Sequence, residues 1–407
     1  MFFEVQISYI MLSKRGIYKV AILFTLLLTL SCKENNNGYK LLTLQINNTT
    51  IQSIQIKDIF SQIDYIFLET LPECLLIESD MEVFVTGKYI IANNKYFGGN
   101  YLFDRKTGKF LYEIGKKGQG PGEYYFVCTY PFNEKYELFY VERFPQKIGI
   151  DINTNKVAEK VFKEVRVDSL FTGPINNITS SIDNIYKMDS SYYIAFQNNI
   201  TGNDPNMLVI FDKEGNILKT YPNHQKYVNY DERGHFLRSG FFYEFDNQLF
   251  FKEYEYNDTV FKVNLDTIIP HIVLDLGKKK PDYTEQENPE KNKNCYWVRY
   301  VRETTKYIFF SFYGDNEGYY DGYYKKENGE MVASLSSLEK ERGFVHENNL
   351  YPPFYISNIN QSEEIIGIIK ATDMLDYIEK NKLETYPDKF NSLKFDDNPI
   401  IVVATLK

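Results

Sequence analysis

The sequence predicts an all-β fold in which four-stranded antiparallel sheets form the blades of a β-propeller. Most of the chain consists of short apolar or aromatic runs separated by Gly, Asn and Asp residues, which is typical of strands joined by tight turns. A strand–turn–strand hairpin recurs at intervals of roughly 50 residues, a period typical of propeller blades. Helix signals are few.

Residues 1–31 predict an export signal. The stretch Lys14–Lys19 holds three basic residues, and the apolar stretch Val20–Leu30 follows it. That apolar stretch is too short to span a bilayer, which takes roughly 20 residues, and it suits a secretory signal. Cys32 follows a small residue, which resembles a bacterial lipoprotein signal and predicts lipidation of Cys32. The alternatives are an ordinary signal peptide and an uncleaved anchor.

Residues 32–40 predict a tether between the lipid and the folded domain. The run Lys33–Gly38 is polar and has no apolar pattern, as expected of a flexible linker. Residues 41–407 are expected to form one propeller domain. Ile54–Phe67 supplies the first strands and Ile400–Leu406 a strong final strand, and pairing of terminal strands is expected to close the ring.

The composition favours strands and argues against one class of partner. Aromatic residues make up 16% of the chain, with 35 Tyr, 31 Phe and one Trp, and aromatic enrichment favours β-structure. The net charge is −9. A nucleic-acid-binding protein needs a basic face, so no nucleic-acid partner is expected.

The predicted outer hairpin of each blade is an apolar strand, an Asp- or Asn-rich turn and a second strand. Sheets that are apolar on both faces cannot bury them alone, so each is expected to pack between two neighbours. The hairpin recurs at residues 101–115, 147–162, 207–222, 258–277 and 322–335. Its turn residues are Asp104, Asp151, Asp212, Asn264 and Asn328, separated by 47, 61, 52 and 64 residues.

A glycine-rich loop, Gly115–Gly122, follows the first of these hairpins. A phosphate-binding loop would open a helix, whereas here Glu123–Phe126 leads into a predicted strand. The loop is therefore interpreted as a structural turn, with no cofactor. Two helices are expected elsewhere, at Thr372–Leu383, with Leu375, Ile378 and Leu383 near one face, and at Ser336–Arg342.

Three segments carry a family resemblance: FDRKTGKFLYEIGKKGQGPGEY (103–124), NDTVFKVN (257–264) and NPIIVVATLK (398–407). They resemble the six-bladed β-propeller lipoproteins of Bacteroidetes over about residues 40–407, and the glycine loop is similar to that of NHL repeats. The resemblance implies six blades. It also implies anchoring by lipid to the outer membrane of a bacterial cell envelope, on its periplasmic or its surface face. It supplies no catalytic residues.

Residue types capable of chemistry form no recognisable site. His224 and His235, with Asp231–Arg233 between them, are the best metal or acid–base candidates, but a solvated loop is favoured over a site. The adjacent pairs Asp396-Asp397 and Glu363-Glu364 would point to opposite faces of a strand, and no GxSxG sequence is present. No catalytic, metal or cofactor residue is predicted, and Cys32 is the one predicted site residue.

The remaining cysteines are interpreted as small buried hydrophobic residues. Cys74, Cys128 and Cys295 show no metal-type spacing. Cys74 and Cys128 lie in apolar, strand-like runs. One disulfide among the three is the alternative.

Clusters of aromatic residues are the more plausible functional feature, as sugar-stacking platforms, although packing between blades would use most of them. The sequence favours a binding protein of the envelope, whose ligand is a glycan or another envelope protein. The alternative is a lyase or hydrolase acting on polysaccharide, which needs at least two His, Arg or acidic residues around one cavity. A purely structural role would leave a filled channel. The clusters are Tyr124-Tyr125, Phe241–Tyr243, Tyr319-Tyr320 and Tyr323-Tyr324.

Overall fold

Strands follow one another from residue 42 to the C-terminus of the computed structural model and pair into six blades arranged in a ring. Residues 42–407 form one compact unit. The structure describes residues 41–77, 81–94, 99–120, 123–124, 126–143, 146–162, 182–197, 199, 202–227, 240–254, 256–285, 290–314, 317–336, 342–347, 350–381 and 388–407.

Strands are numbered in chain order. The N-terminal ones are β1 (Leu42–Gln45), β2 (Thr50–Ile51), β3 (Ile54–Gln55) and β4 (Phe60–Phe67). Blade 1 holds β5 (Met81–Val85), β6 (Tyr89–Asn94), β7 (Asn100–Asp104) and β8 (Phe110–Glu113). Blade 2 holds β9 (Phe126–Asn133), β10 (Leu138–Arg143), β11 (Gln146–Asp151) and β12 (Lys156–Phe162). Blade 3 holds β13 (Ile182–Lys187), β14 (Tyr192–Gln197), β15 (Asn206–Asp212) and β16 (Ile217–Pro222).

The second half of the ring repeats the pattern. Blade 4 holds β17 (Gly240–Phe245), β18 (Gln248–Glu253), β19 (Thr259–Val263) and β20 (Ile268–Asp275). Blade 5 holds β21 (Tyr296–Glu303), β22 (Tyr307–Gly314), β23 (Gly318–Lys325) and β24 (Met331–Ser336). A short strand β25 (Phe344–Val345) precedes blade 6, which holds β26 (Ile356–Ile359), β27 (Ile365–Ile369), β28 (Ile400–Leu406) and the N-terminal β4.

The N-terminal segment first runs along the outside of the ring, and its last strand then closes the ring. Strand β1 adds to β20 of blade 4 and β2 to β24 of blade 5, both in parallel, and β3 pairs with β25. Strand β4 then pairs antiparallel with the last strand, β28, from Phe67 opposite Ile400 to Phe60 opposite Leu406. Pairing of the terminal strands therefore closes the ring, as the sequence predicts.

Hydrophobic clusters lie between all neighbouring blades of the described ring. One joins blades 1 and 2, and others join blades 2 and 3, 3 and 4, 4 and 5, 5 and 6, and 6 and 1. Within β28, Ile400 and Val402 face blade 5, whereas Ile401 and Val403 face blade 1. Because successive strand residues point to opposite faces, a strand that is apolar throughout is buried on both sides.

The five predicted hairpins are the outer hairpins of blades 1 to 5, and their Asp or Asn residues order the turns. Each side chain accepts hydrogen bonds from backbone N–H groups two to four residues ahead, the local bonding for which Asp and Asn are favoured in turns. The acceptors and donors are Asp104 with Thr107, Asp151 with Asn153, Asp212 with Glu214 and Asn216, Asn264 with Asp266 and Thr267, and Asn328 with Glu330.

Helical segments are short among the described residues, and none is long and apolar enough to cross a membrane. Helix α1 is Ile56–Ile59 and helix α2 is Ala371–Asn381. Helix α2 confirms the expected helix, but Met374 and Tyr377 are its large buried side chains. The second expected helix, Ser336–Arg342, falls mostly outside the described residues. The 3₁₀ turns are Ile46–Asn48, Pro72–Cys74, Glu134–Tyr136, Gly277–Lys279, Tyr283–Glu285 and Asp388–Ser392.

The closing strand can be tested at Gly108, whose φ is +71° and whose added Cβ would lie 1.9 Å from the carbonyl oxygen of Phe67. We expect Gly108→Ala to lower the free energy of unfolding by about 3 kcal/mol, because left-handed strain adds to a clash with β4. Gly329 ends the same turn in blade 5 with φ +77°, and its Cβ would meet nothing closer than 3.8 Å.

Gly329→Ala is therefore the matched control and should cost only the backbone strain, about 1 kcal/mol. Urea unfolding of both variants measures the difference. Equal losses for the two variants would contradict the tight packing of β4 against blade 1.

Candidate functional site

A cavity of about 70 Å³ lies where the first strands of the six blades end. The first strands of adjacent blades contact one another, as β9 does with β13 and β13 with β17, so they enclose the axis of the ring. All six blades contribute to the wall. The lining residues are Phe84, Phe132, Glu134, Asn184–Tyr186, Phe242–Glu244, Arg302 and Asn358–Gln361.

A second cavity of about 160 Å³ shares part of this wall. Both are lined by Tyr243, Glu244, Arg302 and the segment 359–361. The second cavity also reaches the segment 245–247, Glu303 and Glu363. We call the residues that line the two cavities the channel mouth.

Tight turns place the two acidic residues of blades 2 and 4 at the channel mouth. Glu134 begins the 3₁₀ turn after β9, and the side chain of Asn133 caps this turn by accepting a hydrogen bond from the Tyr136 N–H. Glu244 lies near the end of β17. The two residues that follow this strand, Asp246 and Asn247, have φ of 50° and 56°, which suits a two-residue hairpin turn.

Gln361, just beyond β26, brings these two carboxylates together. Its backbone N–H donates to Glu134 at 3.0 Å, and its side-chain amide donates to Glu244 at 3.3 Å. Glu244 also accepts from Lys135 at 3.2 Å and from the Tyr186 hydroxyl. Glu134 and Glu244 lie 110 positions apart in the sequence.

Glu134 is half-buried, and its environment favours the protonated form. Burial raises the pKa of its carboxyl from 4.5 to about 7, and the charges of Glu364 and Glu244 act in the same direction. The hydrogen bond from Gln361 and the charge of Arg302 oppose the rise. A carboxyl group that titrates near neutral pH in a cleft is typical of functional sites.

Arg302 of β21 is the buried cation of the channel mouth, with 8% of its surface exposed. Its Nη1 donates to the Asn358 side-chain oxygen at 2.5 Å and to the Ile359 carbonyl at 2.7 Å. Its guanidinium carbon lies 5.1 Å from the ring centre of Phe241 and 5.5 Å from that of Tyr243, at cation–π distance. These contacts fix the group between blades 4 and 6.

Two asparagines tie the channel mouth to blade 1. Asn358 donates to the Val83 carbonyl at 3.3 Å, and Asn360 donates to the Val85 carbonyl at 3.1 Å. Asn360 also donates to Glu364, which accepts two hydrogen bonds from Arg105. The mouth is thus assembled across the closing blade of the ring.

The sequence-predicted histidine cluster is only partly described. His224 is exposed, whereas His235 and Asp231–Arg233 lie outside the described residues. His271 is hydrogen-bonded to Glu303 at the edge of the channel mouth, and His346 is hydrogen-bonded to Tyr65. Within the described ranges, no group of three or more His, Cys, Asp or Glu side chains is placed to hold a metal ion.

The adjacent acidic pairs do not form a dyad in the structure. Glu363 bonds to Thr305 at the rim of the second cavity, and Glu364 points to Arg105. Asp397 accepts from the backbone of Lys394 in a surface turn.

The predicted aromatic clusters are mostly packed inside the blades. Tyr124, Phe241–Tyr243, Tyr320 and Tyr323 are buried, whereas Tyr319 and Tyr324 are half-buried and Tyr125 lies outside the described residues. An exposed platform for sugar rings is therefore not formed by these clusters.

The glycine loop wraps around an acidic side chain. Glu123 accepts from the Gly120 N–H at 2.7 Å, and a Cβ on Gly118 would lie 2.1 Å from the same carboxylate. The loop leads into β9 and not into a helix. Of the cysteines, Cys74 and Cys295 are buried and are not joined by a disulfide, whereas Cys32 and the side chain of Cys128 lie outside the described part.

Sequence reasoning missed Glu134, Glu244, Arg302 and Gln361. They have no shared local spacing, since each comes from a different blade. Their common signal is positional: each lies near or just after the end of the first strand of a blade, which faces the axis of a propeller.

Comparison with known proteins agrees with this architecture. Residues 41–405 match the family model described as a domain of unknown function, DUF4934. None of the curated proteins is similar to the chain in sequence. A Bacteroides fragilis protein described as exported has a similar structure, with a TM-score of 0.64 at 13% identity, covering 90% of this chain and 100% of that chain.

A second solved structure is less similar. A member of the DUF4221 family from Bacteroides vulgatus has a TM-score of 0.49 at 12% identity, covering 86% of this chain and 97% of that chain. At 13% identity, the likeness to the Bacteroides fragilis protein is one of fold.

The raised pKa of Glu134 predicts a pH-dependent stability. A carboxyl group that binds its proton more tightly in the folded state stabilises the fold below its unfolded pKa of about 4.5. That contribution is lost as the pH rises through about 7. We expect Glu134→Gln to match the wild type at pH 4.5 and to exceed its free energy of unfolding by about 2 kcal/mol at pH 8.

Urea unfolding at the two pH values measures this difference. Glu379→Gln, which removes an exposed carboxylate from helix α2, serves as the control for a generic loss of charge. A difference between wild type and Glu134→Gln that is the same at both pH values would contradict the assignment.

Proposed function

The chain belongs to the DUF4934 family, and we propose that its propeller is a binding protein of the bacterial envelope that takes a saccharide at the channel mouth. The observation that carries this proposal is the convergence of polar side chains from several blades on one opening. No single blade supplies enough of them to make a site.

The groups at the channel mouth suit a ligand with many hydroxyl groups. Asn360 and Gln361 supply amides, and Glu134 and Glu244 supply carboxylate oxygens. Hydroxyl groups both donate and accept, so they can bond to amides, carboxylates and guanidinium groups alike. Three phenylalanines complete the wall with apolar surface: Phe84, Phe132 and Phe242. Directed polar groups beside apolar side chains are typical of small-molecule sites.

Export and lipid anchoring form the second part of the proposal. The basic and apolar stretches before Cys32 support secretion, and the position of Cys32 supports lipidation. A structurally similar Bacteroides protein is described as exported, which is compatible with this address. We infer anchoring to the outer membrane on either face.

A polysaccharide lyase or hydrolase is the second candidate, and Glu134 favours it. General acid catalysis near neutral pH needs a carboxyl group with a raised pKa, and Glu134 has one. Glu244 and Arg302 lie around the same cavity, which meets the requirement for converging charged groups. If the full chain releases sugar products and Glu134→Gln does not, an enzymatic function is favoured over binding alone.

Gln361 provides the test of saccharide binding. We expect Gln361→Ala to weaken binding about tenfold, because its amide is lost from both cavities while its backbone bond to Glu134 stays. A glycan array with the full chain finds the ligand, and calorimetry measures the affinity. Phe395→Ala, which removes the most exposed large apolar side chain, is the control and should bind normally.

If binding survives in Gln361→Ala and is lost in Phe395→Ala, the site lies on the outer surface and not at the channel mouth. Absence of binding to any saccharide would reject the proposed ligand class.

Cys32 provides the test of anchoring. We expect Cys32→Ser to abolish incorporation of a labelled fatty acid and to move the protein out of the membrane fraction. The variant has no thiol to carry the acyl chains, and stable anchoring needs those chains. The change Cys74→Ser, at a buried thiol of the propeller, is the control and should leave labelling intact. Labelling of Cys32→Ser would contradict the proposal.

A further inference from the structure

Arg302 is a buried cation that no carboxylate pairs with among the described residues. Its two hydrogen bonds run from one nitrogen, Nη1, to neutral oxygens of Asn358 and Ile359. Its Nε is buried and has no hydrogen-bond partner in the described part of the chain. Burying a charge without a counter-charge is costly, so this arrangement calls for an anion.

Two other arginines that are shielded from solvent have carboxylate partners. Arg342 lies between the rings of Tyr319 and Tyr355, at 4.1 and 4.0 Å, and pairs with Asp321 at 2.7 Å. Arg105 pairs with Glu364 at 2.6 Å. Arg302 has the aromatic contacts of Arg342 but lacks the carboxylate.

Four acidic residues of the channel mouth are engaged elsewhere, and the fifth, Asp246, is exposed to solvent. Glu244 pairs with Lys135, and Glu303 pairs with Lys326. Glu363 bonds to Thr305, and Glu134 accepts from Gln361 and is held partly protonated at neutral pH. None of them neutralises Arg302 at ion-pair distance.

A second unsatisfied donor lies near Arg302. The hydroxyl of Tyr300 is buried without a hydrogen-bond partner among the described residues. The Tyr300 ring centre lies 5.8 Å from the Arg302 guanidinium carbon.

We propose that the channel mouth selects an acidic saccharide unit, with its anionic group on Arg302 and its hydroxyl groups toward Glu134, Asn360 and Gln361. This inference rests on the proposed saccharide binding. The larger cavity, about 160 Å³, has room for about five waters, which fits one sugar ring. The shared ligand chemistry is an anionic oxygen, from a uronic acid carboxylate or a sulfate ester.

Three matched sugars test the inference with the full chain. The first two, methyl glucoside and methyl glucuronide, differ only at the sixth carbon. The third, glucose 6-sulfate, carries its charge at the sixth carbon and also has a free anomeric hydroxyl. Calorimetry at pH 7.5 should give at least tenfold tighter binding for one acidic sugar than for the neutral one. The stronger of the two acidic sugars identifies the source of the anion.

Arg302→Gln should reduce binding of the acidic sugar about tenfold more than it reduces binding of the neutral sugar. Arg342→Gln is the matched control, because it also removes an arginine packed between aromatic rings, and it should keep the preference. Thermal unfolding checks that each variant is folded. Arg302→Met, which removes the charge but keeps a long side chain, replaces Arg302→Gln if the latter does not fold.

Equal binding of acidic and neutral sugars by the wild type would overturn this inference and leave the proposed function standing. A preference that survives in folded Arg302→Gln would also overturn it. Absence of binding to all three sugars and to the glycan array would overturn both proposals.

Discussion

Burial of both faces of every sheet is the constraint on which this structure depends. In β27 and β28, neighbouring residues point alternately into the cluster with blade 5 and the cluster with blade 1, as Ile365 and Ile366 do. Removing either neighbour would expose a whole apolar face, which costs about 25 cal/mol per Å² of apolar surface. A row of such sheets has two unprotected ends, whereas a ring has none. Because the strands are apolar on both faces, the ring has to be closed, and β4 closes it.

Closure of the ring also builds the candidate site. Blade 6 is the blade that needs the N-terminal strand, and its first strand and following turn supply Asn358, Asn360 and Gln361. These residues bond to blade 1, to Arg302 of blade 5 and to the acidic residues of blades 2 and 4. A loosened closing strand would thus disturb the channel mouth as well as the fold. Stability and binding geometry share one structural origin.

Much of the architecture could be predicted from the sequence because its signals are local. The turns at Asp104, Asp212 and Asn264 are set by side chains that bond to backbone two to four residues ahead, and such contacts leave a pattern in the sequence. The site could not be predicted in this way. Glu134 and Glu244 are joined through Gln361, and nothing near either residue in the sequence indicates a partner so distant.

The size of the channel mouth limits what either candidate function could do. Cavities of about 70 and 160 Å³ are small beside pockets that hold drug-sized ligands, which span roughly 300–1,000 Å³. A polymer could therefore insert only a terminal unit or a side branch. If Glu134 acts as an acid, the bond within its reach is the one next to that unit, and cleavage would proceed from chain ends. If the site only binds, the same geometry favours chain ends and side branches over internal segments. Under either proposed function, the size of the channel mouth therefore limits which part of a polymer can enter.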